Sequence, residues 1–164
     1  MKTLYLTRHA KSSWKHPGLS DFDRPLNKRG KHDAPRMGAF LKNKRISPDL
    51  ILSSPAKRAL QTAKILAKEL EYPPEEIQTN ERIYLADTDT LVNIIQNVPD
   101  ESQRLMLIGH NPGLTHLANY LADARIANIP TTGIVEIYFD VNHWQHISAM
   151  SGKLASFDFP KKLF

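Results

Sequence analysis

Met1-Lys-Thr-Leu-Tyr-Leu-Thr-Arg-His-Ala-Lys11 opens the chain, and the reading of this stretch decides the fold. Leu4, Tyr5 and Leu6, with Thr3 and Thr7 beside them, form a short apolar run with β-branched neighbours, the pattern of a buried strand. The run stops at Arg8-His9, so the strand delivers charge to a sheet edge. In open α/β sheets the ligand crevice lies beyond the carboxyl ends of the strands, where Arg8 and His9 would then stand. Taken alone, the pair reads more simply as solvated side chains at a strand end, and its meaning depends on what the other strands bring.

Leu50-Ile-Leu52 is a second buried run, followed by Ser53-Ser54-Pro55 and a helix carrying Ala59, Leu60, Ala63, Ile65, Leu66 and Leu70, which Tyr72-Pro-Pro74 stops. Ser54 is expected as the helix cap and Pro55 as its first residue. Leu105-Met-Leu-Ile108 is the clearest strand, closing on Gly109-His110, after which Asn111-Pro112 is expected as a cap-plus-proline start of a helix marked by Leu114, Leu117, Ala118 and Leu121. Asn27 caps a helix bearing Met37, Phe40 and Leu41 and ending near Arg45, and Gly30 and Pro35 predict an irregular first turn. Ile77 to Thr79 reads as a short strand and Asp87 to Asn97 as a helix. Ile134 to Val141 and Trp144 to Ala149 alternate, and Asn142-His143 between them predicts a two-residue hairpin link. The tail Phe157-Asp-Phe-Pro160 reads as packed coil. Ser12 to Leu26, with Pro17, Gly18 and Pro25, is a long polar loop, and long loops in compact domains are often functional. Together these elements predict one domain over residues 1–164. Its expected fold is a three-layer α/β/α sandwich whose mostly parallel sheet ends in an antiparallel C-terminal hairpin.

A chain of 164 residues can bury roughly 70% of its unfolded surface without staples. The absence of cysteine excludes disulfides, thiolate metal sites and cysteine nucleophiles. The four-residue apolar patch before Arg8 is too short for a signal-peptide core and no later run reaches membrane-spanning length, so a cytoplasmic protein without a membrane partner is expected. Lys and Arg total 22 against 17 Asp and Glu, a net charge of +5 that favours anionic partners. The cations are interleaved with acids and lack an aromatic stacking pattern, so nucleic acid is not expected, whereas a small anionic group fits equally well.

Each of the three best strands brings a basic or imidazole side chain near a helix start: Arg8 and His9, then Arg58, then His110. Lys57 and Arg58 fall in or beside the first turn of their helix, whose partial positive charge disfavours cations unless they are solvated or face an anion. A bound phosphate would remove the conflict, since helix N-termini and arginine forks both suit phosphoryl oxygens. Singly, each residue has an ordinary structural reading; two Arg and two His at three strand ends form a specific set.

Arg8-His9-Ala10-Lys-Ser12, Ser54-Pro-Ala-Lys-Arg58-Ala-Leu-Gln-Thr62 and Gly109-His110-Asn-Pro112 resemble the histidine phosphatase superfamily that includes phosphoglycerate mutases. Asp23-Arg-Pro-Leu26, Arg29-Gly30 with Asp33-Ala34, and Phe159-Pro160 with Leu163 extend the resemblance to its SixA-type phosphohistidine phosphatase branch, over nearly the whole chain. The resemblance implies a phosphoglycerate mutase-like fold. It also implies a nucleophilic His9 that accepts a phosphoryl group, with Arg8, Arg58 and His110, and with Ser12, holding the phosphoryl oxygens. Nearby guanidinium groups would keep His9 neutral and nucleophilic. Ala10 stands where the superfamily commonly has Gly, a change the SixA-like branch often tolerates, and Lys15 stands where mutase-like members tend to carry Asn. Asn80-Glu81-Arg82 resembles the segment supplying the acid in the mutase branch, so Glu81 is the candidate proton donor; a solvated loop glutamate is the plain alternative.

His16, His32, His116, His143 and His146 read as structural, and neither metal nor cofactor is expected. The expected activity is metal-independent hydrolysis of phosphohistidine in a protein through a phosphohistidine intermediate on His9. Two rivals stand beside it: a phosphatase of small phosphate monoesters, and a non-catalytic module that binds phosphorylated partners.

Overall fold

A computed structural model describes residues 1–164. Six strands form one sheet in the order β3-β2-β4-β1-β5-β6. They are β1 (Lys2–Arg8), β2 (Leu50–Ser53), β3 (Gln78–Thr79), β4 (Arg104–Gly109), β5 (Ile134–Phe139) and β6 (Gly152–Asp158). β1, β2, β3 and β4 run parallel, while β5 pairs antiparallel with both β1 and β6. The helices are α1 (Lys28–Asn43), α2 (Lys57–Glu69), α3 (Thr88–Gln96), α4 (Gly113–Ala122) and a terminal turn, α5 (Pro160–Leu163).

The central strands read as unbroken apolar runs because both of their faces are covered. Leu4, Leu6, Leu50, Leu52, Leu105 and Leu107 point into one core with the apolar stripes of α3 and α4. The alternate residues Tyr5, Ile51, Met106 and Ile108 point into the other with Met37, Leu41, Ala59, Ala63 and Leu66 of α1 and α2. This is the expected three-layer sandwich, mostly parallel, with the antiparallel pair at its C-terminal side.

Four local expectations are corrected. Trp144–His146 is a 3-10 turn, and the last strand is Gly152–Asp158, which ends inside the Phe157–Pro160 tail expected as coil. Trp144 and Ile147 are both buried in the core, so their three-residue spacing belongs to a turn and the connection spans residues 140–151. Asp100 Oδ1 accepts from the Trp144 backbone N–H at 2.8 Å, and the indole donates to the Ser102 carbonyl. Second, α1 begins regularly, with Asn27 Oδ1 accepting from Gly30 N at 2.9 Å, and carries Pro35 inside it. Gly30 is required by proximity: a Cβ there would lie 2.2 Å from the Lys11 carbonyl oxygen. Third, α2 starts at Lys57 after Ala56, while Ser54 Oγ accepts from Ala56 N–H at 3.2 Å and also meets His110 Nε2. Fourth, α4 starts at Gly113, one residue after Pro112, with Asn111 Oδ1 accepting from Thr115 N at 3.2 Å.

Candidate active site

β1 and β4 run in register, with Arg8 opposite Gly109, so the next residues, His9 and His110, emerge side by side at the carboxyl edge of the sheet. Their ring centroids are 5.2 Å apart. β2, on the other side of β4, leads through Ser54 to Arg58 in the first turn of α2. His9, Arg58 and His110 are buried, and with Arg8 and Ser12 they line one cavity of about 290 Å³. The Ala10 backbone N–H donates to Thr62 Oγ1 at 2.9 Å, tying the strand exit to α2.

The loop after β1 closes on itself. Ser12 and Leu26 form an isolated antiparallel bridge, and Ser13 N–H donates to the Pro25 carbonyl at 2.8 Å. Between them a 3-10 turn, Asp21–Asp23, carries Asp21 over the cavity. Arg58 donates to the Asp21 carbonyl at 2.7 Å and to its Oδ2 at 3.1 Å. Arg24 Nε reaches Asp21 Oδ1 at 3.1 Å, and the Tyr84 hydroxyl donates to Oδ2. Arg24 also donates to Ser12 Oγ at 2.7 Å, while its guanidinium carbon lies 3.5 Å from the ring centre of Trp14.

Two hydrogen bonds settle the states of the two imidazoles. His9 Nδ1 is 2.7 Å from the Ala10 carbonyl, which can only accept, so Nδ1 carries the proton and Nε2 keeps a lone pair. Burial, with further pressure from His110, Arg58 and Arg8, pushes the His9 pKa down to about 3, against the opposing Ala10 hydrogen bond. His110 Nε2 lies 2.7 Å from Ser54 Oγ, which accepts from Ala56 N–H. Both groups are satisfied when the hydroxyl donates to Nε2, leaving the proton of the ring on Nδ1. Burial and then the Arg58 charge lower the His110 pKa to about 4. Arg8 is shifted down by burial and by Arg58. Hydrogen bonding from Tyr84, supported by Arg58 and Arg24, lowers the Asp21 pKa to about 2 against a desolvation penalty.

The cavity is therefore rich in donors. Arg8 Nε, Arg58 Nε and His110 Nδ1 are buried without a hydrogen-bond partner, an arrangement suited to an anion with several acceptor oxygens. No cluster of three or more His, Asp or Glu side chains has metal-ligand spacing.

Arg8, His9, Ser12, Arg58 and His110 come together, whereas Glu81 stays outside the cavity lining. Asn80 Oδ1 accepts from Arg82 N–H and starts a 3-10 turn that buries Ile83 and leaves Glu81 exposed. The carboxylate in the cavity is Asp21, which the sequence reading did not single out; Arg24, Tyr84 and the hydroxyl of Ser54 were likewise missed as site residues. The readable signal was Asp21-x-x-Arg24, a pair at turn spacing inside the long loop. No helix is long and apolar enough to cross a membrane.

The family model for the histidine phosphatase superfamily, branch 1, matches residues 4–84. An uncharacterized protein of Mycobacterium leprae is 31% identical over 94% of this chain and 99% of its own length. A crystal structure from Agrobacterium tumefaciens, assigned as the phosphohistidine phosphatase SixA, superposes with a TM-score of 0.83 at 29% identity, covering 97% of this chain and 98% of that one. The protein histidine phosphatase SixA complexed with tungstate has the same fold, with a TM-score of 0.84 at 21% identity over 99% of both chains. With the Arg8-His9, Arg58 and His110 constellation in place, the chain is a phosphatase of the histidine phosphatase superfamily and belongs to its SixA-type branch.

Proposed function

We propose that the protein hydrolyses phosphohistidine carried on another protein, without a metal, through a covalent phosphohistidine at His9. The observation that carries this reading is the His9 Nδ1 bond to the Ala10 carbonyl, which leaves a neutral Nε2 lone pair among Arg8, Arg58 and His110. Nε2 attacks phosphorus while the substrate's P–N bond breaks. The cations hold the three equatorial oxygens and stabilise the charge spread over them. The departing imidazole, protonated on its other nitrogen, leaves as a neutral ring. Water then attacks the phosphoryl group on His9, the P–Nε2 bond breaks, a proton passes to solvent, and phosphate is released.

The carboxylates support a phosphoramidate over an ester. An alkoxide leaving group needs a proton donor, but Asp21 is held ionised and Glu81 lies outside the cavity lining. Asp21 instead holds Arg58 in place through two hydrogen bonds. Binding alone would not require a neutral imidazole with a free lone pair, which argues against a non-catalytic module.

The test compares phosphate release from a phosphohistidine-bearing protein and an aryl phosphate, with His9→Ala as control. Fast loss from the protein, slow ester turnover and a drop of at least about a thousandfold in the variant are expected. Radiolabel from the phosphoprotein should be trapped on the wild type by alkaline quench and absent from His9→Ala. Equal turnover by the two proteins would overturn the mechanism, and preference for the ester would overturn the substrate.

A further inference from the structure

Two cavities flank the catalytic one and share Lys11 with it. The first, about 340 Å³, adds Arg29 and Lys161 to the Arg8 wall; the second, about 530 Å³, adds Lys15, Lys28 and Lys31. The one acid lining either is Asp33, which is buried and faces Arg29 at 3.4 Å. Lys11, Lys15, Lys28, Lys31 and Lys161 are exposed and form no ion pair. The rim is thus cationic on the two flanks of the catalytic mouth, the Asp21 carboxylate above it being engaged by Arg58 and Arg24, although the chain's net charge is only +5.

Two features give this charge a direction. Lys28, Arg29 and Lys31 occupy three of the first four positions of the sixteen-residue α1, with no acid in its first turn, against the helix dipole. An anionic partner relieves that conflict. Trp14, 76% exposed, stands between the catalytic and the larger flanking cavity with one face backed by Arg24. A large aromatic held by a cation amid a polar rim is the composition of a protein–protein anchor. A nucleic acid strand would need successive stacking platforms along its track, and at Trp14 one face is already covered.

We infer that this rim docks an acidic surface on the partner protein, with the partner's acidic side chains over the two flanking cavities while its phosphohistidine enters the central one. The inference rests on the substrate reading above.

Two synthetic phosphohistidine peptides test it, one with glutamates flanking the phosphohistidine and one with glutamines at the same positions. The wild type should turn over the glutamate peptide about tenfold more efficiently, through KM, and lose the preference at about 0.5 M salt. Lys28→Glu/Lys31→Glu/Lys161→Glu should erase the preference and leave the glutamine peptide within about twofold of wild type. Equal use of both peptides by the wild type would overturn the inference, as would an equal loss on both in the variant. If neither peptide is hydrolysed, the substrate reading fails and binding decides the surface separately. Fluorescence anisotropy of the unphosphorylated peptides should still show the acidic one bound more tightly and released by salt. Equal affinities, or stronger binding of a single-stranded oligonucleotide, would overturn it.

Discussion

The floor and the rim of the cavity are built by different means. On the floor, Arg8, His9 and His110 are placed by the register of two parallel strands inside a double-faced apolar core. On the rim, Asp21, Arg24 and Trp14 come from one loop held by hydrogen bonds, ion pairs and a single bridge. Strand register holds a nucleophile to the tolerance that chemistry needs, whereas a polar loop can be remodelled without disturbing the layers beneath it. Under the proposed function the contrast gives reaction to the floor and recognition to the rim, with Arg58 and Asp21 as the seam between them.

The sharpest challenge to that division is at the seam. Arg58→Ala should lower kcat by about two to three orders of magnitude, as removal of a transition-state oxyanion donor does. Steady-state phosphate release measures it, and a change confined to KM would move Arg58 to the rim. Next comes pH. His9 and His110 have native pKa values of about 3 and about 4, below the ordinary 6.5, so on acidification the unfolded chain takes up protons that the native one refuses. Their contribution to stability is fully present above about pH 6.5 and is lost progressively as pH falls toward the native values. Between pH 7 and pH 5 the loss should be on the order of 2 kcal/mol per ring. Urea unfolding across that range measures it, with His9→Ala showing a shallower decline; equal slopes would mean that the floor is not dry.

Asp21→Asn tests the other side of the seam. Arg58 keeps a hydrogen-bonding neighbour but loses its charged one, and kcat should fall by about tenfold. A loss as large as that of Arg58→Ala would erase the distinction between floor and rim. Glu81→Gln should change turnover by less than about twofold, since an exposed side chain outside the lining contributes little. A tenfold loss would restore Glu81 as the proton donor and bring phosphate esters back as substrates.

The same contrast explains what was legible in the chain. Leu4-Tyr-Leu6, Leu50-Ile-Leu52 and Leu105-Met-Leu-Ile108 are buried on both faces, so their apolar runs announce the central strands and the residues at their ends. Gly152–Asp158 lies at the sheet edge and is mostly polar or half-exposed, leaving no periodic signal to separate strand from coil. Trp144 to Ala149 mixes apolar and polar residues as a strand would, but Trp144 and Ile147 are three apart and would face opposite sides of a strand; the 3-10 turn and the residue after it bury both on the core. At the site, Arg8, His9, Arg58 and His110 sit next to strands or helix starts and could be read. Asp21, Arg24 and Tyr84 meet only through loop closure, with Tyr84 63 positions from Asp21, and no local pattern encodes such a meeting. Ser54 was legible only in part for a related reason: its hydroxyl accepts from Ala56 N–H, two residues on, but it also meets His110 across the sheet edge, a contact no local pattern encodes.

The Ser12–Leu26 bridge bears on how such a protein can change over evolutionary time. Because both ends of the loop are clamped together beside α1, the chain between them is a cassette whose ends do not feel its length. Lengthening a closed loop is opposed by an entropy that grows only with the logarithm of its size. Insertions near its tip could therefore build a deeper lid or a new specificity surface while His9, Arg58 and His110 stay where the strands put them. One unchanged phosphoryl-transfer floor could in this way be fitted to many phosphorylated partners by exchange of a single segment.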